Sequence, residues 1–166
     1  MKIGLVSDSH GHRIRLAAAI DLLISRGAEA VVHCGDIGSP ACLGTLAAAP
    51  VLAYAVAGNV DQLLAAAGTV PAAVTFSPVT VEVRIAPETY LVATHGHQHG
   101  LVSSLIAGGQ FAYVCHGHTH SIRDERIDGV RVICPGALTR PRAPAQPTCA
   151  LLDTACDTLE FIEVPA

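Results

Sequence analysis

Five short apolar runs in this chain end the same way, each giving out into a turn that carries imidazole, carboxylate or amide. Residues 3–6 run into Asp8-Ser9-His10, 30–34 into Gly35-Asp36, and 51–57 into Gly58-Asn59. Residues 89–93 run into His95-Gly96-His97, and 112–115 into His116-Gly117-His118-Thr119-His120. Short apolar runs without polar alternation read as strands buried on both faces. In open α/β sheets, ligands bind just outside the carboxyl ends of such strands. Asp8 and His10 stand two residues apart at the first exit, where an extended backbone would aim both the same way. A carboxylate and an imidazole aimed at one point make either half of a metal site or an acid–base pair.

The intervening sequence fits that frame. Residues 13–26 place Ile14, Ala17, Ala18, Leu22 and Leu23 at helical spacing, and Gly27 follows as a cap. Strand, helix and strand in succession make a βαβ unit with parallel strands, so Asp36 leaves the sheet on the edge used by Asp8 and His10. Ser39 or Pro40 opens a helix through 48, and a short helical piece is expected over 62–67. Residues 79–85 alternate and return through 89–93 as a hairpin that begins a second sheet. Residues 101–107 make two helical turns. Residues 122–127 and 130–134 form a hairpin around Asp128-Gly129, and 149–152 with 159–164 form the last one. Residues 140–147 read as an irregular, proline-rich loop. No repeat or long linker interrupts residues 1–166, which are expected to form a single domain.

Charge is scarce, at 14% of residues against a usual ~25%. Between Ile37 and Val81 the only charged residue is Asp61. Such a span is expected to lie in the core or against a second copy, as a dimer or tetramer. The net charge of −4 leaves no basic stripe for an extended nucleic-acid surface. The six cysteines show no C-x-x-C spacing and read as reduced, buried small hydrophobes. Lys2 precedes only five uncharged residues before Asp8, too few for a signal peptide. Residues 41–57 are broken by Gly44, Thr45 and Pro50, so no membrane span is expected there and the expected location is cytoplasmic.

All nine histidines fall at four of these strand ends: His10 and His12; His33; His95, His97 and His99; His116, His118 and His120. Carboxylate, amide oxygen and imidazole together suit divalent manganese, iron, cobalt, nickel or zinc. Calcium or magnesium would not need the histidines, and a structural zinc site would favour cysteine.

With these motifs in this order, the chain resembles the calcineurin-like metallophosphoesterase superfamily, in particular its small single-domain bacterial and archaeal phosphodiesterases related to the retromer subunit Vps29. The resemblance covers Asp8 to Gly136. It implies a four-layer α/β/β/α sandwich of two mixed sheets flanked by helices. It also implies two divalent ions, manganese foremost. Asp8, His10 and His120 would hold one ion, Asn59, His95 and His118 the other, and Asp36 would bridge them. A hydroxide shared by the ions would attack a small phosphodiester. Asn59, His97 and Asp61 are the further catalytic candidates, His97 as substrate contact or orienting neighbour and Asp61 as an orienting carboxylate. His12 and His99 read as exposed loop residues or orienting partners, and His33 and His116 as hydrogen-bonded structural residues. Arg123, Arg140 and Arg142 either reach a substrate phosphate or are solvated.

Two departures stand out. Val60 occupies the position where many relatives carry a histidine that assists the leaving group. Ala137 stands where the small phosphodiesterases often place a serine. Two rival functions share this fold: an interaction scaffold of the Vps29 kind, and a phosphomonoesterase or protein phosphatase.

Overall fold

A computed structural model of the chain describes residues 1–66, 68 and 70–165. Six strands form one mixed sheet: β1 (Lys2–Val6), β2 (Ala30–His33), β3 (Leu52–Val56), β4 (Val74–Ser77), β10 (Thr148–Asp153) and β11 (Thr158–Glu163), in the order β11-β10-β1-β2-β3-β4. Five make the second: β5 (Thr80–Ala86), β6 (Thr89–Thr94), β7 (Tyr113–Cys115), β8 (Ile122–Ile127) and β9 (Val130–Pro135), in the order β5-β6-β7-β9-β8. Helices α1 (Arg13–Ser25) and α2 (Pro40–Ala47), the short α3 (Gln62–Ala66) and α4 (Leu101–Ala107) connect them.

Alternate residues of single strands separate the layers. On β2, Val31 packs with Leu16, Leu23, Leu43 and Leu46 of α1 and α2, while Val32 packs between the sheets with Leu91, Cys115 and Ile133. On β6, Leu91 and Ala93 face the first sheet, and Val92 faces Ile106 of α4. The result is a four-layer α/β/β/α sandwich, as expected from sequence. β1, β2 and β3 are parallel to one another, as are β6, β7 and β9. The chemistry-bearing loops thus leave each sheet on one edge.

Two points depart from expectation. The buried face of α1 is Leu16, Ala19, Ile20 and Leu23, and Ile14 is 72% exposed. The helix is apolar nearly all round, so periodicity offered two stripes and only packing selects one. β4 was not foreseen: its four residues are too short for a pattern, and pairing with β3 makes it a strand. The span 37–81 supplies much of the first core through Ile37, Cys42, Leu43, Leu46, Ala53, Ala55 and Val74, although Leu52 and Leu63 remain exposed. The expected helix end at Ala67 lies outside the described residues. Five cysteines are buried and free, and Cys156 is exposed. Among the described residues, no helix is long and apolar enough to cross a membrane.

Gly44 has helical backbone in α2, and a Cβ there would meet nothing within 4 Å. Gly44→Ala is therefore expected to stabilise the fold by ~0.5–1 kcal/mol, read from the urea midpoint at constant m.

Candidate metal centre

The loop after β1 is zipped to the loop after β2 by three amide bonds: Asp8 to the Gly35 carbonyl, His10 to Asp36, and Gly11 to Ile37, at 2.8–3.0 Å. Asp8, His10, Asp36, His118 and His120 all have φ between 44° and 68°. Left-handed backbone is uncommon outside glycine and concentrates where function over-determines the chain. Asp8 and His10 thus converge through left-handed turns, not through the extended backbone expected from sequence.

Asp8 is fully buried. Its Oδ2 accepts from the Ser7 hydroxyl at 2.6 Å and from the His118 amide at 3.2 Å, while Oδ1 has no hydrogen-bond partner among the described residues. His120 Nε2 lies 3.1 Å from that Oδ1, and His10 Nε2, also unpartnered, lies 3.9 Å from it and 3.7 Å from Asp36 Oδ2. Across Asp36, His95 Nε2 stands 3.4 Å from Oδ2 and 3.2 Å from Asn59 Oδ1. The opposite ring nitrogens assign the tautomers. His95 Nδ1 sits 2.8 Å from the Cys34 carbonyl and His120 Nδ1 2.9 Å from that of Arg140; a carbonyl only accepts, so each Nδ1 carries the proton. In the neutral rings both Nε2 atoms then turn lone pairs toward carboxylate oxygens. Such a set of acceptors needs a proton or a cation between its members. Two groups, Asp8 with His10 and His120, and Asp8 with Asp36 and His95, each bring their ligand atoms within 4.8 Å of one another. The donor set fits divalent transition ions.

His118 is exposed, its ring 5.2 Å from His95 and 6.3 Å from His97. His10, Asp36, Asn59, Val60, His118, His120, Arg140 and Arg142 line an open cleft of about 380 Å³. Asp61 is fully buried and accepts the amides of Ile37, Gly38 and Gly58 at 2.8–2.9 Å. It stitches the Asp36 loop to the Asn59 loop and orients both. His97 Nδ1 has no partner among the described residues, and burial with the neighbouring His95 and His118 rings pushes its pKa down.

Other residues have other work. His33 meets the Ser9 hydroxyl at 2.9 Å, and His116 meets the Gly117 carbonyl at 3.0 Å. His12 is exposed and caps α1 by accepting from the Arg15 amide, while His99 is exposed. Arg123 pairs with Glu125, outside the cleft lining. Sequence reading missed Ser7, Ser9 and Thr139. The Thr139 hydroxyl donates to the Asp8 carbonyl at 2.9 Å, two positions beyond the alanine where a hydroxyl was missing. Serines flanking Asp8 were the available signal.

A family model, the calcineurin-like phosphoesterase superfamily domain, matches residues 1–157. The chain belongs to that superfamily. A phosphodiesterase of Methanocaldococcus jannaschii is 29% identical over 161 residues, which cover 93% of each chain. The phosphoesterase fold is matched by the solved structure of an archaeal phosphodiesterase at a TM-score of 0.86 and 28% identity, over 99% of this chain and 100% of that one. Vps29 of Chaetomium thermophilum shares the fold at a TM-score of 0.69 and 14% identity, over 99% of this chain and all of its own.

The metal-free electrostatics of this phosphoesterase already carry the site's charge logic. Burial alone pushes the Asp36 carboxyl up, but hydrogen bonds from His95 and the Val60 amide, with the charges of His95 and His10, hold it down at about 2. Burial lowers the His95 pKa, yet its hydrogen bonds to Asp36 and the Cys34 carbonyl and the charges of Asp36 and Asp8 raise it overall. A raised histidine pKa means that protonating His95 stabilises the metal-free fold. That contribution is complete below the ordinary value of ~6.5 and fades as pH rises through the raised value. A metal needs the unprotonated ring. Affinity for manganese is therefore expected to climb as pH rises through the raised His95 value, with proton release in calorimetric titrations. Affinity that does not vary with pH would exclude His95 as a ligand.

Proposed function

We propose that this chain is a metal-dependent phosphodiesterase acting on small phosphodiesters. The observation that carries the proposal is the pair of unpartnered buried atoms, Asp8 Oδ1 and His10 Nε2, where imidazole nitrogens converge on Asp36. Asp8, His10 and His120 would hold one divalent ion, Asn59, His95 and His118 a second, with Asp36 serving both. Two such ions supply Lewis acidity toward phosphoryl oxygens and lower the pKa of water. The chain itself does the positioning. Ser7 and the His118 amide hold Asp8 Oδ2 so that Oδ1 stays free, and the Val60 amide donates to Asp36 Oδ1 at 3.1 Å. Asp61 braces the loops from behind. His97, its pKa pushed down, stands beside the cleft as a neutral ring able to donate to or accept from substrate.

Preference for diesters is supported by relatives that bear that activity in their names. The test is removal of metal with a chelator followed by assays on mono- and diesters with manganese, iron, cobalt, nickel or zinc restored singly. Diester hydrolysis should vanish and return with metal, manganese foremost. Metal-loaded protein that hydrolyses no ester would favour the scaffold function, and hydrolysis of monoesters alone would favour a phosphomonoesterase.

Val60 bears on the leaving group. It lines the cleft, 47% exposed, and offers no proton. General-acid help is worth ~10²–10⁴-fold, so its lack should tell more as the leaving oxygen becomes more basic. A steep fall in rate from nitrophenyl to alkyl diesters is expected, and Val60→His should flatten it. A flat wild-type profile with chemistry rate-limiting would show that another acid acts, His97 being the first to test.

A further inference from the structure

Among the described residues, the charges lining the cleft apart from Asp36 and the histidines belong to Arg140 and Arg142. Both lie in the loop after β9, which has little regular structure and is nevertheless locked in place. The Arg140 carbonyl accepts from His120 Nδ1 at 2.9 Å, the Arg142 amide donates to the His120 carbonyl at 2.8 Å, and the Ile122 amide donates to Ala143 at 2.8 Å. Arg140 takes a φ of 50° to make these bonds. The loop is thus fastened, through backbone alone, to a candidate metal ligand and to the start of β8. Neither guanidinium has an acidic partner or a side-chain hydrogen bond among the described residues. Arg26, Arg123, Arg126 and Arg131 each face a carboxylate, while Arg13, Arg15 and Arg84, likewise without one among the described residues, lie outside this cleft's lining. On a chain of net charge −4 with ten basic residues, two of them left unpaired at the mouth of one cleft form a local attraction for anions.

Seven candidate ligands already surround the place where a reacting phosphate would bind, so these two cations are surplus to it. Guanidinium groups suit the planar, two-point contact that phosphate oxygens offer. We propose that Arg140 and Arg142 form an anion subsite for a second phosphate group of the substrate, so that the preferred diester carries a further phosphate beside the scissile one. The inference rests on the phosphoesterase reading of the cleft. The wall contributed by the loop after β3, with exposed Val60, is left to the uncharged arm of the ester.

The experiment compares binding of thymidine 3′,5′-bisphosphate and thymidine 5′-monophosphate to the manganese-loaded protein by calorimetry. The bisphosphate should bind about tenfold more tightly, the yield of one well-made charge-assisted contact. In the double variant Arg140→Ala, Arg142→Ala that ratio should fall toward one. The bonds that lock the loop are made by backbone at both positions, so the variant retains them. A wild-type ratio near one, or a ratio that survives in the double variant, overturns the proposal. So does an equal loss for both ligands, which would place the arginines on the reacting phosphate. Because the readout is a ratio of affinities, it judges the subsite even if the protein hydrolyses no diester, an outcome that would instead defeat the phosphoesterase reading.

Discussion

Asp36→Ala is expected to lower diester hydrolysis by about 10³-fold or more, the largest effect of any single substitution in the cleft. Asp36 is the hub of the site. His10 and His95 approach the same Oδ2 from two sides, at 3.7 and 3.4 Å, while the Val60 amide holds Oδ1. Removing the carboxylate takes a ligand from both proposed ions and the negative charge that keeps two dications together. Metal stoichiometry should fall with activity, from two ions per chain toward one or none, which metal analysis of dialysed protein reads directly. Asn59→Ala should cost less, because exposed Asn59 would serve one ion only. Asp36 contributes to folding as well. Its depressed pKa stabilises the metal-free fold above the unfolded carboxylate value of ~3.9, and that contribution is lost as pH falls toward 2. Full turnover by Asp36→Ala would end the two-metal proposal.

Gly117→Ala is expected to damage both the fold and the metal centre, although Gly117 is not among the candidate ligands. A Cβ at Gly117 would fall on the Ser7 hydroxyl and within 2.8 Å of the Cys34 carbonyl and 2.9 Å of Asp8 Oδ2. Each of those atoms is committed: Ser7 bonds Asp8 and Cys34, and the Cys34 carbonyl orients His95. Relief of the clash must move the Asp8 loop or the β7 exit. Overpacking of this kind costs about 2 kcal/mol. In a chain of this length that lowers the melting temperature by ~4–8 °C, with metal affinity lost in the same variant. A melting temperature and manganese affinity equal to wild type would show that the two sheets are less tightly apposed at this point.

Much of the molecule follows from local pattern. The apolar runs and the βαβ succession required parallel strands, and parallel strands put Asp8, His10, Asp36 and Asn59 on one edge. The residue types there limited the site to imidazole, carboxylate and amide chemistry. The face of α1 was not legible, since an almost wholly apolar helix has no unique stripe, and β4 exists only through its partner. Sequence had set His33 and His116, read as hydrogen-bonded structural residues, apart from the candidate ligands His95 and His120, but did not specify the atoms that each ring would meet. Tertiary structure separates them by what each ring meets: Ser9 and the Gly117 carbonyl for the first two, carboxylate oxygens for the others. The sign of φ at Asp8, His10, Asp36, His118 and His120 was equally out of reach. A left-handed turn is imposed by bonds to distant loops, such as that of the His118 amide to Asp8, 110 residues away. Sequence by itself determined which groups are present and on which edge of the sheets they emerge; only the folded chain decided which of their atoms face one another, because that depends on backbone turns held by contacts remote in sequence.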